Sequence, residues 1–331
     1  MTVAVVGGGI IGLSIAWRLV SRGADVTIFD DGVDGAWNVA AGMLAPGGEA
    51  AFETPALVGL MKASAERWPS FASSLGVDVG YDEAGTLGLA VTADDVASAS
   101  REWSTPPLRP SELRELEPAL SPRVRAGVYL PADRQVDPRL VVAALRDRLA
   151  DRIVAKRVST LDEVDATTIV VAAGCGTAAL TGLPVRPVKG QVLRLRGEPG
   201  LIRHVLEATV DGRSVYIVPR ADGEIVVGAT QEERSDWTVT AGGVYDLLRA
   251  AVELVPDLAE CALAETLVGH RPGTPDNAPL LGVLREGVLV AAGHFRNGVL
   301  LAPVTADLIA DLALGGPADP MLDDFAPGRF A

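Results

Sequence analysis

A glycine-rich turn near the N-terminus constrains the possible folds of this chain more than any other feature. Residues 7–12 match the pattern GxGxxG. The turn follows the β-branched run Val3 to Val6 and opens a helical pattern, Ile10 to Val20, after which Asp25 to Asp30 form a second β-rich run. Strand, glycine turn, helix and strand in this order predict a βαβ unit that binds a dinucleotide.

Each glycine of the pattern has a physical role in such a unit. Gly7 permits the tight turn, Gly9 lets the backbone approach a pyrophosphate, and Gly12 lets the helix lie close to the strand. The helix opens at Ile10 and Ile11, where N–H groups without helical partners can bind the anion. We therefore assign these five residues to the nucleotide site.

An acidic residue ends the second strand. Asp30, followed by Asp31, falls near the position where a carboxylate accepts hydrogen bonds from ribose hydroxyls and repels a 2′-phosphate, which disfavours NADP. The pattern itself serves both NAD and FAD. Because Gly174-Cys175-Gly176 continues with Thr-Ala-Ala, there is no second GxGxxG, and this favours a flavoprotein without a pyridine-nucleotide substrate. NAD-linked hydride transfer and nucleotide binding without catalysis stay open as alternatives.

Composition excludes several classes of partner. The formal charge of −14 would repel a nucleic-acid backbone or an anionic membrane surface, and no later stretch reaches the roughly 18 apolar residues of a membrane-spanning helix. The two cysteines, Cys175 and Cys261, are too few for a disulfide framework and too far apart for a metal cluster. We expect a cytoplasmic protein without a bound metal, whose partners are small molecules.

The strand pattern indicates two domains that interleave along the chain. Thr168 to Ala173 and Val288 to Ala292 are continuous apolar runs, typical of buried parallel strands. Short alternating segments, typical of an antiparallel sheet, lie near Gly85 to Val91, Gln191 to Arg196, Val215 to Pro219 and Glu224 to Ala229. The sequence thus predicts a mixed α/β fold with a Rossmann-type nucleotide-binding domain (residues 1–80, 130–185 and 265–331) and an antiparallel-sheet substrate domain (residues 81–129 and 186–264).

Two further helices are predicted from apolar periodicity. Ala56 to Leu75 places Leu57, Trp68 and Phe71 on roughly one face, with a kink expected at Pro69. Val299 to Leu314 has the pattern of a core helix.

Six segments, in order along the chain, resemble one protein family. They are Ala40 to Pro46, Arg186 to Gln191, Tyr216 to Arg220, Val227 to Thr230, Gly269 to Asp276 and Gly293 to Pro303. On these residues the chain resembles the glycine oxidases of thiamin biosynthesis, within the D-amino-acid oxidase family of FAD-dependent oxidoreductases. The resemblance covers nearly the whole chain.

The resemblance implies noncovalent FAD in an extended pose, roofed by the antiparallel substrate domain. No cysteine lies near Gly269 to Thr274, where a covalent flavin would need one. After Gly293, a helix that begins near Asn297 would aim backbone N–H groups at the flavin pyrimidine edge. Besides the glycine turn, Asp30 and Asp31, the implied cofactor contacts are Ala40, Ala41, Gly42, Met43, Val154, Ala173, Gly174, Arg271, His294, Phe295, Arg296, Asn297, Gly298, Val299 and Leu300.

The family also implies residues that hold the substrate. Arg271 matches the arginine that binds the substrate carboxylate, a task suited to a planar bidentate guanidinium. Tyr216 matches the tyrosine that donates a second hydrogen bond, and Arg296 either lines the same cavity or supports the structure. Gln231 stands where related enzymes carry apolar residues, which bears on side-chain selectivity.

The implied reaction is oxidative deamination of glycine to its imine and glyoxylate, with molecular oxygen reduced to hydrogen peroxide. The three histidines show no catalytic or metal-ligand spacing, so positioning of a neutral amine for hydride transfer would supply most of the catalysis. Sarcosine or a small D-amino acid as substrate, and a dehydrogenase that uses an acceptor other than oxygen, are the alternatives. A homo-oligomer is compatible with the family.

Overall fold

The strands and helices were assigned in a computed structural model, which describes residues 2–47, 53–101, 103 and 105–330. The strands are β1 (Thr2–Val6), β2 (Asp25–Asp30), β3 (Met43–Leu44), β4 (Thr86–Ala90), β5 (Ala126–Leu130), β6 (Arg134–Gln135), β7 (Ile153–Ala155), β8 (Thr168–Val171), β9 (Arg186–Arg196), β10 (Val205–Val210), β11 (Arg213–Pro219), β12 (Glu224–Gly228), β13 (Ala262–Gly273), β14 (Leu280–Arg285) and β15 (Val288–Ala292). The helices are α1 (Ile10–Ser21), α2 (Pro55–Ala65), α3 (Trp68–Ser74), α4 (Ala93–Ala99), α5 (Pro110–Leu116), α6 (Pro138–Arg148), α7 (Thr177–Thr181), α8 (Ala241–Leu254) and α9 (Ala302–Ala313).

A six-stranded sheet contains the predicted βαβ unit. Its strand order is β14-β15-β8-β1-β2-β7, and β1 pairs in parallel with both β2 and β8. The apolar runs that end at Ala173 and Ala292 form β8 and β15, which pair in parallel as predicted. Only β14 runs antiparallel, because a tight turn at Gly287 joins it to β15 as a hairpin.

A seven-stranded sheet has the order β13-β9-β12-β11-β10-β4-β5. The sequence predicts an antiparallel sheet, but β4 and β10 pair in parallel. A parallel pair cannot be closed by a hairpin, and these two strands are joined by a long connection that includes α6 and the strands β5 to β9. β13 pairs with β9 from Ala262 to Gly273, with one irregularity between Leu263 and Glu265.

Apolar helix faces cover one side of the six-stranded sheet. Residues of α1, α2, α3, α6 and α9 form one buried cluster with β1 and β2. The predicted helix from Ala56 to Leu75 is two helices, α2 and α3, which are separated at Glu66 and Arg67. Pro69 explains the interruption, because it has no N–H to donate to the Ala65 carbonyl.

The C-terminal core helix begins later than its apolar pattern indicates. The pattern starts at Val299, whereas α9 starts at Ala302 after a short 3₁₀ turn at Phe295–Asn297. Pro303 cannot donate to the Val299 carbonyl, so this bond is made instead by the Ala302 N–H, in the tighter 3₁₀ manner.

One face of the seven-stranded sheet packs on α8. Leu247, Ala251 and Leu254 of this helix lie in a buried cluster with residues of β9, β11 and β12 such as Leu193 and Ile217. The opposite face carries a much smaller apolar cluster, so it is this face that leaves room for a site. In the described part of the chain, no helix is both long and apolar enough to cross a membrane.

Trp68 anchors α3 against the loop before α9, and its removal tests this packing. The ring is fully buried and its Nε1 donates to the Leu300 carbonyl at 2.9 Å. Trp68→Ala should lower the free energy of unfolding by about 3–5 kcal/mol, because it leaves a cavity and removes one of the hydrogen bonds to the Leu300 carbonyl. Trp237 is 64% exposed, and Trp237→Ala should change this free energy by less than about 1 kcal/mol. Equal losses in urea denaturation would contradict the assignment.

Candidate functional site

The glycine turn lies where β1, β2 and β8 end side by side. Gly7 has φ +116°, and a methyl group on it would overlap the carbonyl of Ala172, which follows β8. A methyl group on Gly12 would overlap the carbonyl oxygen of Gly7. Only glycine allows strand, turn and helix to approach this closely.

The space above the turn is open. Among the described residues, a methyl group on Gly9 would meet only Trp37 within 4 Å, at 3.7 Å. Gly9 is the N-cap of α1, no side chain caps this helix, and its first turn carries no acidic residue. The helix start at Ile10 and Ile11 therefore suits an anion such as a dinucleotide pyrophosphate.

Asp30 lies beside this turn and has a partner that sequence reasoning missed. Its Oδ2 accepts a hydrogen bond from Arg146 at 2.6 Å, and its Oδ1 accepts one from the Gly32 N–H at 3.1 Å. Arg146 also donates to the Gly8 carbonyl at 3.0 Å. Asp31 is exposed, and its carboxylate accepts from the Val33 N–H. No spacing in the sequence links Arg146, in the last turns of α6, to residues so far away in the chain.

Strands β7 and β8, which lie on either side of the β1–β2 pair, bring other predicted contacts to the same edge. Val154 of β7 pairs with Phe29 of β2, and Ala173 and Gly174 follow β8. Gly174 has φ +54°, and no atom of the described residues lies within 4 Å of the position that a Cβ would take there. These residues thus lie at the carboxyl ends of parallel strands, where ligands bind in such sheets.

The thiol next to this edge is unreactive. Cys175 is hydrogen-bonded to the His270 carbonyl at 3.7 Å from its sulfur, and burial raises the pKa of the thiol to about 11. It is therefore protonated near neutral pH and is not a nucleophile.

The segment Ala40 to Met43 is held by backbone contacts. The Gly42 carbonyl accepts from the Val136 N–H at 2.9 Å, and the Ala41 carbonyl accepts from Arg220. Arg220 is buried, which lowers its pKa, and it also donates to Gln135 at 2.8 Å. Met43 pairs with Gln135 between β3 and β6.

Two more arginines fix the residues just before this segment. Arg139 of α6 donates to the Asn38 carbonyl at 2.9 Å, and Arg194 of β9 donates to the same oxygen at 3.3 Å. Arg139 is also paired with Glu265 at 2.9 Å and Arg194 with Glu224. The segment is thus bound both to a helix on the six-stranded sheet and to the seven-stranded sheet.

Strand register puts the two predicted substrate residues on one sheet face. Paired residues share a face, and so do residues two apart in one strand. Tyr216 of β11 and Arg271 of β13 are connected in this way through Gly228, Val192, Gly190 and Gly269. This is the face opposite α8, and its small apolar cluster includes Tyr216 together with Ala41 and Met43.

Glycines make room on this face. A methyl group on Gly228 would overlap the Tyr216 ring, one on Gly190 would overlap the Arg271 guanidinium, and one on Gly269 would overlap Val39. Sequence reasoning did not single out these glycines as site residues. The signal was present, since glycine inside a strand indicates close approach of another group.

Arg271 is oriented by a backbone oxygen. Its Nη1 donates to the Thr230 carbonyl at 3.1 Å, in the loop that follows β12. β13 also contacts the short helical turns at residues 36–38, 174–176 and 295–297. One strand therefore brings Arg271 close to segments of the six-stranded sheet that were predicted to bind the cofactor.

The turn before α9 is anchored from two sides. His294 is buried, its Nε2 is 3.1 Å from the Thr305 hydroxyl, and burial lowers its pKa to about 3, so the ring is neutral at ordinary pH. The Leu300 carbonyl accepts from Ser64 at 2.6 Å as well as from Trp68. The Leu301 N–H donates to the Asn297 carbonyl at 2.8 Å.

The remaining predicted residues of this turn differ in exposure. Phe295, with φ +48°, and Val299 are buried, and Gly298 is half-buried. Arg296 is exposed and lies near Glu53. Burial raises the pKa of the Glu53 carboxyl above its usual value, and the charge of Arg296 partly offsets this rise.

Known proteins are similar to this chain in sequence over nearly its whole length. The bifunctional protein ThiO/ThiG of Synechocystis sp. is 36% identical over 99% of this chain and 54% of its own length. The chain thus spans about half the length of the ThiO/ThiG relatives it matches. A putative thiamine biosynthesis oxidoreductase ThiO of Rhizobium etli is 31% identical, with 94% of this chain and 95% of that protein covered.

A solved structure is similar over the whole chain. The crystal structure of glycine oxidase from Geobacillus kaustophilus superposes with a TM-score of 0.91 at 33% identity, and covers 99% of this chain and 98% of that one. The family model described as FAD dependent oxidoreductase, DAO, matches residues 2–312. The chain therefore belongs to the DAO family of FAD dependent oxidoreductases.

Proposed function

We propose that this chain is a glycine oxidase that supplies the imine of glycine, or glyoxylate after hydrolysis, to thiamin thiazole biosynthesis. Glycine, oxygen and water would give glyoxylate, ammonia and hydrogen peroxide. The observation that carries the proposal is that Arg271 and Tyr216 lie on the same sheet face, where each packs against a strand glycine. The glycine oxidase and thiamine biosynthesis relatives support it.

Arg271 and Tyr216 would bind the substrate carboxylate. A guanidinium whose Nη1 is held by the Thr230 carbonyl is pre-oriented, so less side-chain freedom is lost when a carboxylate binds. The phenol would add a second hydrogen bond. Gly190 and Gly228 provide the space that these two side chains occupy.

The residues at the strand ends fit FAD. Gly9 and Gly174 face open space, and the uncapped start of α1 suits a pyrophosphate. Asp30 would accept from the ribose while it stays paired with Arg146, and the Ala40 to Met43 and His294 to Leu300 segments would hold the isoalloxazine ring. When bound, FAD supplies the acceptor for the hydride that leaves the α-carbon, and passes the electrons to molecular oxygen.

The chain's own residues act by binding and orientation. His294 is neutral and bonded to Thr305, His204 pairs with Glu117, and the His270 ring contacts the Asp236 carbonyl. All three histidines thus have structural partners. Catalysis by positioning of a neutral amine is consistent with this arrangement.

We also propose the two-domain division expected from the sequence, with residues 1–80, 130–185 and 265–331 forming the FAD-binding domain and residues 81–129 and 186–264 the substrate domain. The strand order of the two sheets supports it. β13 crosses the boundary after residue 264 and continues in the seven-stranded sheet to Gly273. The strand would thus connect the two domains at the site.

The visible spectrum tests the function directly. Purified protein should show flavin absorbance near about 450 nm, which glycine bleaches anaerobically faster than sarcosine or D-alanine does, and which air restores rapidly. Bleaching without rapid recovery in air would assign a dehydrogenase instead. Faster bleaching by sarcosine or D-alanine would assign that amine as the substrate in place of glycine. A protein that stays colourless after addition of FAD would overturn the proposal.

Loss of the carboxylate-binding arginine should raise KM. Arg271→Ala should raise the KM for glycine about tenfold to a hundredfold, the effect of removing a charge-assisted hydrogen bond of 1.5–3 kcal/mol, while bound FAD is retained. Arg196→Ala is the matched control, because Arg196 is an exposed residue of β9 paired only at the surface with Asp222. An unchanged KM for Arg271→Ala would contradict the assignment.

Two glycine substitutions separate backbone strain from close packing at the turn. Gly7 and Gly23 both have positive φ, but a methyl group on Gly23 meets nothing within 4 Å, whereas one on Gly7 overlaps the Ala172 carbonyl. Gly7→Ala should raise the dissociation constant of FAD more than about tenfold, or 1.4 kcal/mol, and Gly23→Ala should leave it nearly unchanged. Titration of apoprotein with FAD, followed by flavin fluorescence, measures both. Equal effects would argue against the turn as the pyrophosphate site.

A further inference from the structure

A polar cluster lies on the other side of the sheet from Tyr216 and Arg271. We call it the Glu232 cluster, and its residues are Lys189, Gln191, Thr230, Glu232 and Asp236. Lys189 and Gln191 alternate along β9 with Gly190, which packs against Arg271, so their side chains point to the opposite face. The cluster therefore does not touch the proposed substrate position directly.

Glu232 is the centre of this cluster. Its Oε1 accepts from Gln191 Nε2 at 2.7 Å and from the Thr230 hydroxyl at 2.8 Å, and its Oε2 is 3.7 Å from Lys189 Nζ. Burial by itself would raise the pKa of the Glu232 carboxyl. The opposite effect is larger: hydrogen bonds from Gln191 and Thr230, together with the charge of Lys189, hold this pKa below its usual value. The carboxylate is thus charged near neutral pH, and its hydrogen bonds are of the stronger, charge-assisted kind.

Thr230 connects the cluster to the substrate face. The Gln191 N–H donates to the Thr230 hydroxyl at 2.9 Å, and the Thr230 N–H donates to the Gln191 carbonyl at 3.2 Å. The same residue offers its carbonyl to Arg271 Nη1 at 3.1 Å. Side chain and backbone of Thr230 are therefore fixed from one face of the sheet, while its carbonyl orients a guanidinium on the other.

We propose that Glu232 is a positioning residue for the substrate carboxylate: it holds Thr230 so that the Thr230 carbonyl orients Arg271. This rests on the proposed function, because Arg271 must be the group that binds the carboxylate. Without the Glu232 carboxylate, the Thr230 hydroxyl and Gln191 amide lose a shared acceptor, and the loop after β12 gains freedom. Arg271 is then less well oriented before the substrate arrives, and more side-chain freedom is lost on binding, which weakens carboxylate binding.

Replacing Glu232 by a neutral residue does not leave Lys189 as an unpaired buried cation. Lys189 is fully buried, but it is also paired with Asp236 at 2.8 Å. A buried cation that keeps one carboxylate partner does not carry the full penalty of an isolated charge. Variants at Glu232 should therefore fold and bind FAD.

The test measures carboxylate binding apart from turnover. Acetate, a carboxylate without an amine, is titrated into the holoenzyme, and its dissociation constant is read from the change in the flavin spectrum. Glu232→Ala should raise this constant and the KM for glycine together by about tenfold, the effect of about 1.4 kcal/mol, with kcat within about twofold of the parent. Glu232→Gln, which keeps an acceptor oxygen, should recover most of the affinity.

Glu233 provides the matched control. It is the neighbouring carboxylate, is exposed, and pairs with Arg186 at 3.0 Å outside the cluster. Glu233→Ala should leave the acetate constant unchanged. As a second route, Thr230→Val removes the hydroxyl but keeps the carbonyl, and it should weaken acetate binding in a manner that is not additive with Glu232→Ala, because the two residues act through one contact.

The outcomes separate this inference from the proposed function. If Arg271→Ala weakens acetate binding and Glu232→Ala and Thr230→Val do not, Glu232 has no positioning role and the proposed function stands. If Arg271→Ala itself leaves acetate binding unchanged, the carboxylate assignment fails and the inference fails with it. A loss in Glu232→Ala that Glu233→Ala matches, or that follows loss of bound FAD, would also overturn the inference.

Discussion

The backbone contact between Gly7 and Ala172 is the constraint on which the site depends. It brings the ends of β1 and β8 together and leaves the start of α1 facing open space. A side chain at Gly7 or Gly12 would push the helix away from the sheet and remove the surface on which a pyrophosphate can lie. Asp30, paired with Arg146 beside the same turn, depends on this spacing, because its carboxylate occupies the position that a side chain on Gly8 would take.

The second half of the site is connected to the first by arginines that donate to backbone carbonyls. Arg139 and Arg194 share the Asn38 carbonyl, and Arg220 binds the Ala41 carbonyl. The guanidinium groups of Arg194 and Arg220 are buried and need partners, and part of that need is met by the chain segment that joins the two sheets. The Ala40 to Met43 segment is therefore held between them, as the proposed cofactor-binding role would require if substrate and cofactor are to meet in a fixed geometry.

Local patterns predicted the elements well wherever one face or one run of residues determined them. The βαβ unit, the parallel strands β8 and β15, and the apolar faces of α2 and α3 follow directly from hydrophobic periodicity. The ends of helices were less well predicted: the kink expected at Pro69 is a division into two helices, and Pro303 delays the start of α9, each through a single missing N–H group. The parallel pair of β4 and β10 gave no local signal, because strand direction is decided by a long connection.

The sequence by itself determined the nucleotide fingerprint and the family, since both are carried by residue types at fixed local spacing, and it led to the proposal of Arg271 and Tyr216 as substrate residues. Only the tertiary structure decided what surrounds them. The glycines of β9, β12 and β13 form one surface through strand register. Arg146 and Arg220 reach partners in distant elements, and Glu232 reaches Gln191, 41 residues earlier in the chain. Hydrogen bonds of this kind depend on sheet order and long-range packing, which local periodicity does not encode.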